Sequence, residues 1–503
     1  MDVEFLKHKF EDGRNGIITK TKLSIGVRHL QIIYMVVCTA VMGAMRGSSA
    51  IAILAVADYS RQNDTYIQVH DWDSKVRGPI LSAFLFGYAL VLVPAEIYLK
   101  KLGDKSIITA VLLINGGLCS AMPTVVNKGG WLAVCNAQFL MGVSQACVTP
   151  VNQMLLGKWL PPVERHLLSY LVHGGTLLGI IVALPVSGML SEARLGWELI
   201  FYSQAMMTLS MAAVWALLTA SSPDDHQAVG DDEKEHIKQA VSSCRKKALR
   251  KPWRGILRSR AFWAVACAHA ASNAVFVFYM VEIPEYLMTM GLSLKESTRQ
   301  CMFPFIAMWL VYLSTAPAID WLYSVGFVGL MVDLRHFRKI VNTLGAFSTI
   351  IGLTVLPNLA WDWNHLGVVV LMGTLGAQGL QYSGFLENIR EMTLFYSGTL
   401  LMLTSFVSGL AGAAVPFVCG LIIGDGSDPS RWKVVFYTMA AFCLACNIIY
   451  IVFGNGDRQA WDGTSMNKFG YNNDISQVEL EDRFECDDDT MIMARKMDNE
   501  TTI

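Results

Sequence analysis

The sequence predicts an all-α membrane protein of twelve spanning helices in two six-helix halves. Three observations predict it. Only 16% of the 503 residues are charged against 53% hydrophobic, and the mean hydropathy is +0.40, whereas a soluble domain carries about a quarter charged residues. The apolar residues gather in blocks near 31–57, 78–99, 107–126, 130–157, 166–190, 198–219, 261–287, 302–322, 340–357, 366–386, 394–422 and 433–454. Each is close to the ~20 residues that cross a hydrocarbon core. One long polar stretch, 220–260, divides the blocks six and six, the pattern of two repeats joined by a linker. The chain therefore divides into a terminus (1–30), a first half (31–219), the linker, a second half (261–454) and an acidic tail (455–503).

The basic residues set the orientation. Residues 1–30 carry Lys7, Lys9, Arg14, Lys20, Lys22 and Arg28, and Lys and Arg favour the cytoplasmic side. No short apolar stretch with a small-residue cleavage site follows, so the first span acts as its own insertion signal. Further clusters follow the second span (Lys100, Lys101, Lys105), the fourth (Lys158, Arg165) and the eighth (Arg335, Arg338, Lys339), and precede the seventh (Arg245 to Arg260). All fall on one side of a single alternating topology, with both termini in the cytoplasm. The loop 58–77 is then outside, and Asn63-Asp64-Thr65 in it is an N-glycosylation acceptor. The acceptor at Asn499 lies in the cytoplasmic tail and is expected to be unused.

The spans carry few polar groups, and those few are informative because such groups face a cavity or another helix. In the first, Arg46 stands among Gly43, Ala44, Gly47, Ser48 and Ser49, small residues that let a helix or an anion come close. Two readings stay open: an interior ion pair that orders the bundle, or an anion-binding cation. The fourth span presents Gln138, Gln145, Thr149, Asn152 and Gln153 and stops at Trp159-Leu160-Pro161-Pro162-Val163-Glu164-Arg165, since a proline pair cannot continue a helix. It is a candidate pathway wall. The fifth holds His173 beside Gly174-Gly175, either a proton-linked switch or a hydrogen-bonded packing residue.

In the second half, the seventh span places His269, Ser272, Asn273 and Glu282 on one side, with Pro284 expected to break the helix. Gln378, Gln381, Tyr382, Glu387 and Asn388 precede Gly398, Gly409, Gly412 and Gly420, which are read as close-packing positions. The linker from Glu233 onward is read as an amphipathic interfacial helix anchored by Trp253. The tail is read as disordered, with Ser476 and Thr490 as phosphorylation candidates. Its end, Thr501-Thr502-Ile503, suits a PDZ-type groove that captures a terminal carboxylate. The 11 cysteines are scattered singly, without metal-ligand spacing or a disulfide framework. No nucleophile–base grouping appears, so an enzyme, a cofactor, a metal centre and a nucleic-acid partner are not expected; membrane lipid is.

The stretch Trp159–Arg165 reads W-x-P-P-x-E-R. With Gly87-Tyr88, Pro94, Gly142, Pro150, Gly196-Trp197, Phe201-Tyr202, Arg338-Lys339, Gly384-Phe385, Asn388, Trp432 and Phe436-Tyr437, it resembles the anion–cation symporter branch of the major facilitator superfamily. That branch includes sialin, the vesicular glutamate transporters, the type I sodium–phosphate cotransporters and the insect inorganic phosphate cotransporters. The resemblance runs from Gly26 to Trp461. It implies two pseudosymmetric halves with alternating access, a small anionic substrate, and coupling to sodium, a proton or the membrane potential. Arg46 corresponds to the branch's first-helix arginine, which meets the substrate's charge.

The departures bear on coupling. Relatives commonly carry Arg at the position of Gln138 and a proton-carrying Glu at that of Gln145. The two charges are neutralised together, as if an ion pair had been removed as a unit. The branch's N-W-G-F-Y becomes Asn273-Ala274-Val275-Phe276-Val277, and its N-h-x-D becomes Asn388-Ile389-Arg390-Glu391. Coupling then uses another group, such as Glu282 or His173, or the protein is a uniporter or a sodium-linked carrier, or it has lost transport. The expected function is transport of a phosphate- or carboxylate-type anion. The alternative is a transport-silent receptor or scaffold acting through its tail. With no convincing dileucine or tyrosine sorting signal, the plasma membrane is favoured over a vesicular or lysosomal one.

Overall fold

The computed structural model describes residues 26–64, 66–99, 103–242, 251–325, 334–359, 364–393, 396–424 and 430–462. The readings of the first 25 residues, Thr65, the basic turn at 100–102, the linker at 243–250 and the tail from 463, with its phosphorylation candidates and terminal Thr501–Ile503, lie outside them; residues 455–462, the start of the tail read as disordered, are instead packed against the bundle, with Trp461 and Asp462 buried.

The first half is built from α1 (Val27–Val56), α2 (Ser74–Tyr98), α3 (Asp104–Gln145), α4 (Val148–Trp159), α5 (Pro162–Ser191) and α6 (Trp197–Leu218). The linker contributes α7 (Asp231–Ser242) and α8 (Trp253–Arg258). The second half is α9 (Arg260–Thr289), α10 (Leu294–Ser324), α11 (Leu334–Val355), α12 (Asn364–Gln378), α13 (Glu387–Glu391), α14 (Ser397–Ile423) and α15 (Ser430–Phe453), with a π-helical turn at Tyr382–Leu386 ahead of α13.

Nine helical segments among the described residues are long and apolar enough to cross a membrane. One of them, Asp104–Trp159, holds 56 residues. At 1.5 Å per residue it is roughly twice as long as a bilayer is thick. Gly130, at φ 69°, turns it into a hairpin. Gln145 thereby returns to within hydrogen-bonding distance of Asn115 (3.2 Å). Counting both arms, and adding α10 and the α12–α13 segment, twelve crossings result.

Pro284 does not break its helix: α9 runs through it to Thr289. The ring costs the Met280 carbonyl its partner. Packing inside the bundle tolerates that loss, and the Ser297 hydroxyl donates to the Pro284 carbonyl at 2.6 Å.

The halves meet most extensively along α2 against α14 and α5 against α10. Glycines allow the first contact. A Cβ on Gly78 would lie 2.5 Å from the Pro416 carbonyl oxygen, and one on Gly420 would lie 2.4 Å from that of Ser74. Gly409 and Gly412 also face close neighbours, whereas a Cβ on Gly398 would meet no other element within 4 Å among the described residues. Close packing therefore accounts for three of the four glycines, and Gly398 departs from the expectation.

The signature stretch ties the first half to the linker. Pro161 precedes α5 in an extended conformation. The Arg165 guanidinium donates to the Gly157 and Leu160 carbonyls (3.1 and 3.0 Å), closing the end of α4. Glu164 accepts from Arg28 at 3.0 Å. Glu233 of α7 accepts from the backbone amides of Val27 and Arg28, each at 3.2 Å, which places an acidic group at the positive end of α1. Trp159 is buried, edge-on to His226.

Two substitutions separate these roles. Gly420→Val is expected to force α2 and α14 apart at a cost of about 1–3 kcal/mol, lowering the unfolding temperature in detergent. Gly398→Ala is expected to leave it unchanged or to raise it, by up to ~1 kcal/mol of helix propensity. Thermal unfolding of the purified variants checks both.

Candidate functional site

Arg46 lies on the inner side of α1, where the two halves face each other. Its Nε donates to the Gln145 side-chain oxygen at 2.9 Å. The guanidinium carbon stands 4.9 Å from the centre of the Tyr88 ring and 5.9 Å from that of Phe84, within the range of a cation–π contact. Among the described residues no carboxylate pairs with it. Gln145 is held in turn: its amide nitrogen donates to Asn115, which donates to Ser144 at 2.7 Å.

Two turns back along α3, Gln138 donates to the Ser49 hydroxyl at 2.8 Å, and its own oxygen is buried without a partner among the described residues. Arg46, Ser49, Gln138 and Gln145 line one cavity with Leu81 and Phe84 of α2. Met280 and Val281 of α9, from the other half, close it. The space is ≈20 Å³, room for about one water. A larger solute enters only if the halves part.

Contacts between the halves close the space at both ends. On the side of the α1–α2 loop, the Arg77 guanidinium donates to Glu285 at 2.5 Å and to the Ser74 hydroxyl at 2.9 Å, and Ser74 donates to Glu285 at 2.8 Å. The Arg77 and Glu285 side chains are each only 14% exposed. Lys295 and Glu192 also bridge the halves there at 2.7 Å, but both are half-exposed, so this pair adds little. Towards the opposite end, Tyr170 of α5 donates to Glu387 at 2.5 Å, and Arg390 holds the same carboxylate at 2.9 Å. Tyr170, Tyr312 and Tyr382 form a chain of rings with centroids 5.2 and 5.6 Å apart.

The structure thus brings Arg46, Gln138 and Gln145 into one cavity and leaves the other singled-out residues elsewhere. Glu282 lies next to the cavity-lining Val281 and one turn from Glu285. It is 4% exposed and has no hydrogen bond or ion pair among the described residues. His173 pairs with Gln153 at 2.5 Å, at the level of Tyr170. Asn273 donates to the Ser408 carbonyl at 2.8 Å, pinning α9 to α14, and Asn388 donates to Tyr450 at 3.2 Å within the second half. Asn63 is exposed in the α1–α2 loop. Asn152 is buried, and neither atom of its side-chain amide is paired among the described residues.

Sequence reading did not single out Phe84, Arg77 or Glu285, and it gave Tyr88 only as part of the resemblance, not as a partner of Arg46. An aromatic residue in an apolar helix carries no local sign that a cation lies over it. Arg77 and Glu285 are 208 residues apart, although each stands near the outer end of a span, where a charge has most to gain from a partner.

A family model, the Major Facilitator Superfamily, matches residues 35–416. The chain belongs to that superfamily. It is a multi-pass membrane transporter of that fold. It is 29% identical over 400 residues to a Drosophila ananassae protein named "Putative inorganic phosphate cotransporter", covering 78% of this chain and 82% of that one. It is 26% identical over 396 residues to human sialin (78% of each chain). To mouse sodium-dependent phosphate transport protein 1 it is 25% identical over 402 residues (78% and 83%). These relatives belong to the anion–cation symporter branch that the signature resembles. Among solved structures, the inward-open xylose transporter of E. coli superposes with a TM-score of 0.62 at 13% identity, over 84% of this chain and 95% of that one. A bacterial homologue of the human lysosomal transporter Spinster gives 0.61 at 12%, over 84% and 96%. At such identity the likeness concerns the fold alone. The relatives are transporters, and none of them supports the transport-silent scaffold.

Removing the buried pair at the α1–α2 loop end should favour a state open to that side. Arg77→Gln is expected to speed labelling of a Ser49→Cys reporter by a membrane-impermeant thiol reagent several-fold, relative to the reporter alone.

Proposed function

We propose that this protein is a secondary transporter that moves a small anion of phosphate or carboxylate type by alternating access. Arg46 is the substrate cation. The observation that carries the reading is the guanidinium held by a neutral amide and an aromatic face, beside a cavity at the junction of the halves. Its charge is thereby left for a solute. The Ser49 hydroxyl, which already accepts from Gln138, keeps its proton for the same anion. The names of the relatives, phosphate transporters and sialin, support the substrate class. The unpaired Asn152 amide supports a route that continues along α4.

Arg46→Ala is expected to abolish uptake in vesicles, while Arg46→Lys keeps part of it, with both variants reaching the membrane in normal amount. Full uptake by the alanine variant would remove the basis of the reading. The neutral Gln138 and Gln145 make the cavity less suited to multiply charged solutes. A monoanion is therefore expected to be taken up in preference to a dianion of similar size.

Glu282 is the residue we assign to coupling. A carboxylate so buried is costly when charged and unpaired, and binding a proton or a sodium ion removes that cost. Its place between the cavity and the Arg77–Glu285 pair supports loading when that pair opens. Glu282→Gln should make uptake insensitive to both a pH gradient and sodium. Unchanged dependence on either would assign coupling elsewhere. The exposed Asn63 supports a glycan in the α1–α2 loop, and the plasma membrane is the proposed location. Surface biotinylation combined with enzymatic deglycosylation reads both.

A further inference from the structure

A second cavity lies far from Arg46, at the end of the second half where α9 begins and α15 ends. It is a recess of ≈760 Å³ between α8, α9, the start of α11, and residues 452–461. Spaces of this size hold small-molecule ligands. None of its lining residues is shared with the Arg46 cavity.

Its chemistry is one-sided. Arg258, Arg260, His336 and Lys339 line it, and no carboxylate does among the described residues. The Lys339 ammonium donates to the Ile451 carbonyl at 3.1 Å, which fixes it against the end of α15. Ser259, between the two arginines, donates to the Gln459 side chain at 3.1 Å, so the α8–α9 junction is held to the far wall. Part of the remaining wall is apolar and outward-facing. Val452 and Phe453 line the recess and are also 61% and 44% exposed. Leu257 and Trp263 beside it are exposed too, with the Trp263 indole donating to the Leu257 carbonyl at 2.9 Å. Trp at the level of the headgroups is a membrane-interface feature.

A site for a freely dissolved anion needs the cations but not the exposed apolar wall. A lipid needs both at once: cations for its phosphate, and an apolar surface leading from that site to the hydrocarbon. Basic pockets between spanning helices on the cytoplasmic side recognise anionic headgroups in this way. The basic-loop topology puts this end of the bundle on that side.

We propose that the recess binds the phosphomonoester headgroup of an anionic phospholipid, with the acyl chains leaving along Val452 and Phe453. The site is independent of the transport reading, because its test measures binding and not uptake.

The experiment uses purified full-length protein in detergent and native mass spectrometry with three probes. These are dioctanoyl phosphatidylinositol 4-phosphate, dioctanoyl phosphatidylcholine, and water-soluble inositol 1,4-bisphosphate. The phosphoinositide is expected to bind at least tenfold more tightly than either of the others. The triple variant Arg258→Gln/Arg260→Gln/Lys339→Gln should weaken it at least tenfold. Val452→Glu, at an exposed position where folding is not at stake, should weaken it several-fold by repulsion. Arg299→Gln, on α10 and outside the recess, should leave it unchanged. Equal binding of inositol bisphosphate would make the site one for soluble phosphate and overturn the lipid assignment. Equal binding of phosphatidylcholine, or an affinity untouched by both Val452→Glu and the triple variant, would overturn the site itself.

Discussion

A guanidinium inside an apolar bundle must replace the water it leaves behind. Among the described residues Arg46 does so without a carboxylate: an amide oxygen takes its Nε, and two aromatic faces take part of its charge. Much of the first half is arranged around this solution. Asn115 and Ser144 orient Gln145 across the α3 hairpin, and Ser49 occupies one end of Gln138. Had a carboxylate stood at Gln145, the cation would be neutralised at close range in a medium of low dielectric. The amide keeps the side chain in place and leaves its charge unspent.

The second constraint is that the cavity cannot be open to both sides at once. The halves satisfy it with polar contacts that bracket the arginine. Arg77, Ser74 and Glu285 close one end, and Tyr170, Glu387 and Arg390 the other. Glycines bring α2 and α14 into backbone contact, so the halves form a tight interface that the buried Arg77–Glu285 pair fastens. A buried pair holds well only while both partners are present, which suits a contact that must separate as a unit during a transport cycle.

The signature W-x-P-P-x-E-R stands apart from this chemistry. Its arginine closes the end of α4, and its glutamate reaches Arg28. The same α1 terminus receives Glu233 from the linker. The most recognisable stretch of the chain is thus a structural joint linking α1, the α4–α5 turn and the connection between the halves. It carries the resemblance to the symporter branch without touching the cavity.

The sequence by itself determined what depends on local composition. The twelve crossings and their six-and-six division follow from runs of apolar residues, whose length is compared directly with the bilayer. Arg46, Gln138 and Gln145, which line one cavity, were legible as interior polar groups because such groups are so rare in these spans that each stands out. Only the tertiary structure decided which of those groups meet. Asn273 and Asn388 stand out equally in the sequence, yet they hydrogen-bond to other helices of the second half, and Gly398 resembles Gly420 but a side chain there would meet open space among the described residues. Nothing in the sequence around Phe84 and Tyr88 tells that their rings lie against a cation. The reason is geometric: apolarity and charge are properties of one stretch of chain, whereas a partner is fixed by the rotation and depth at which two distant helices pack.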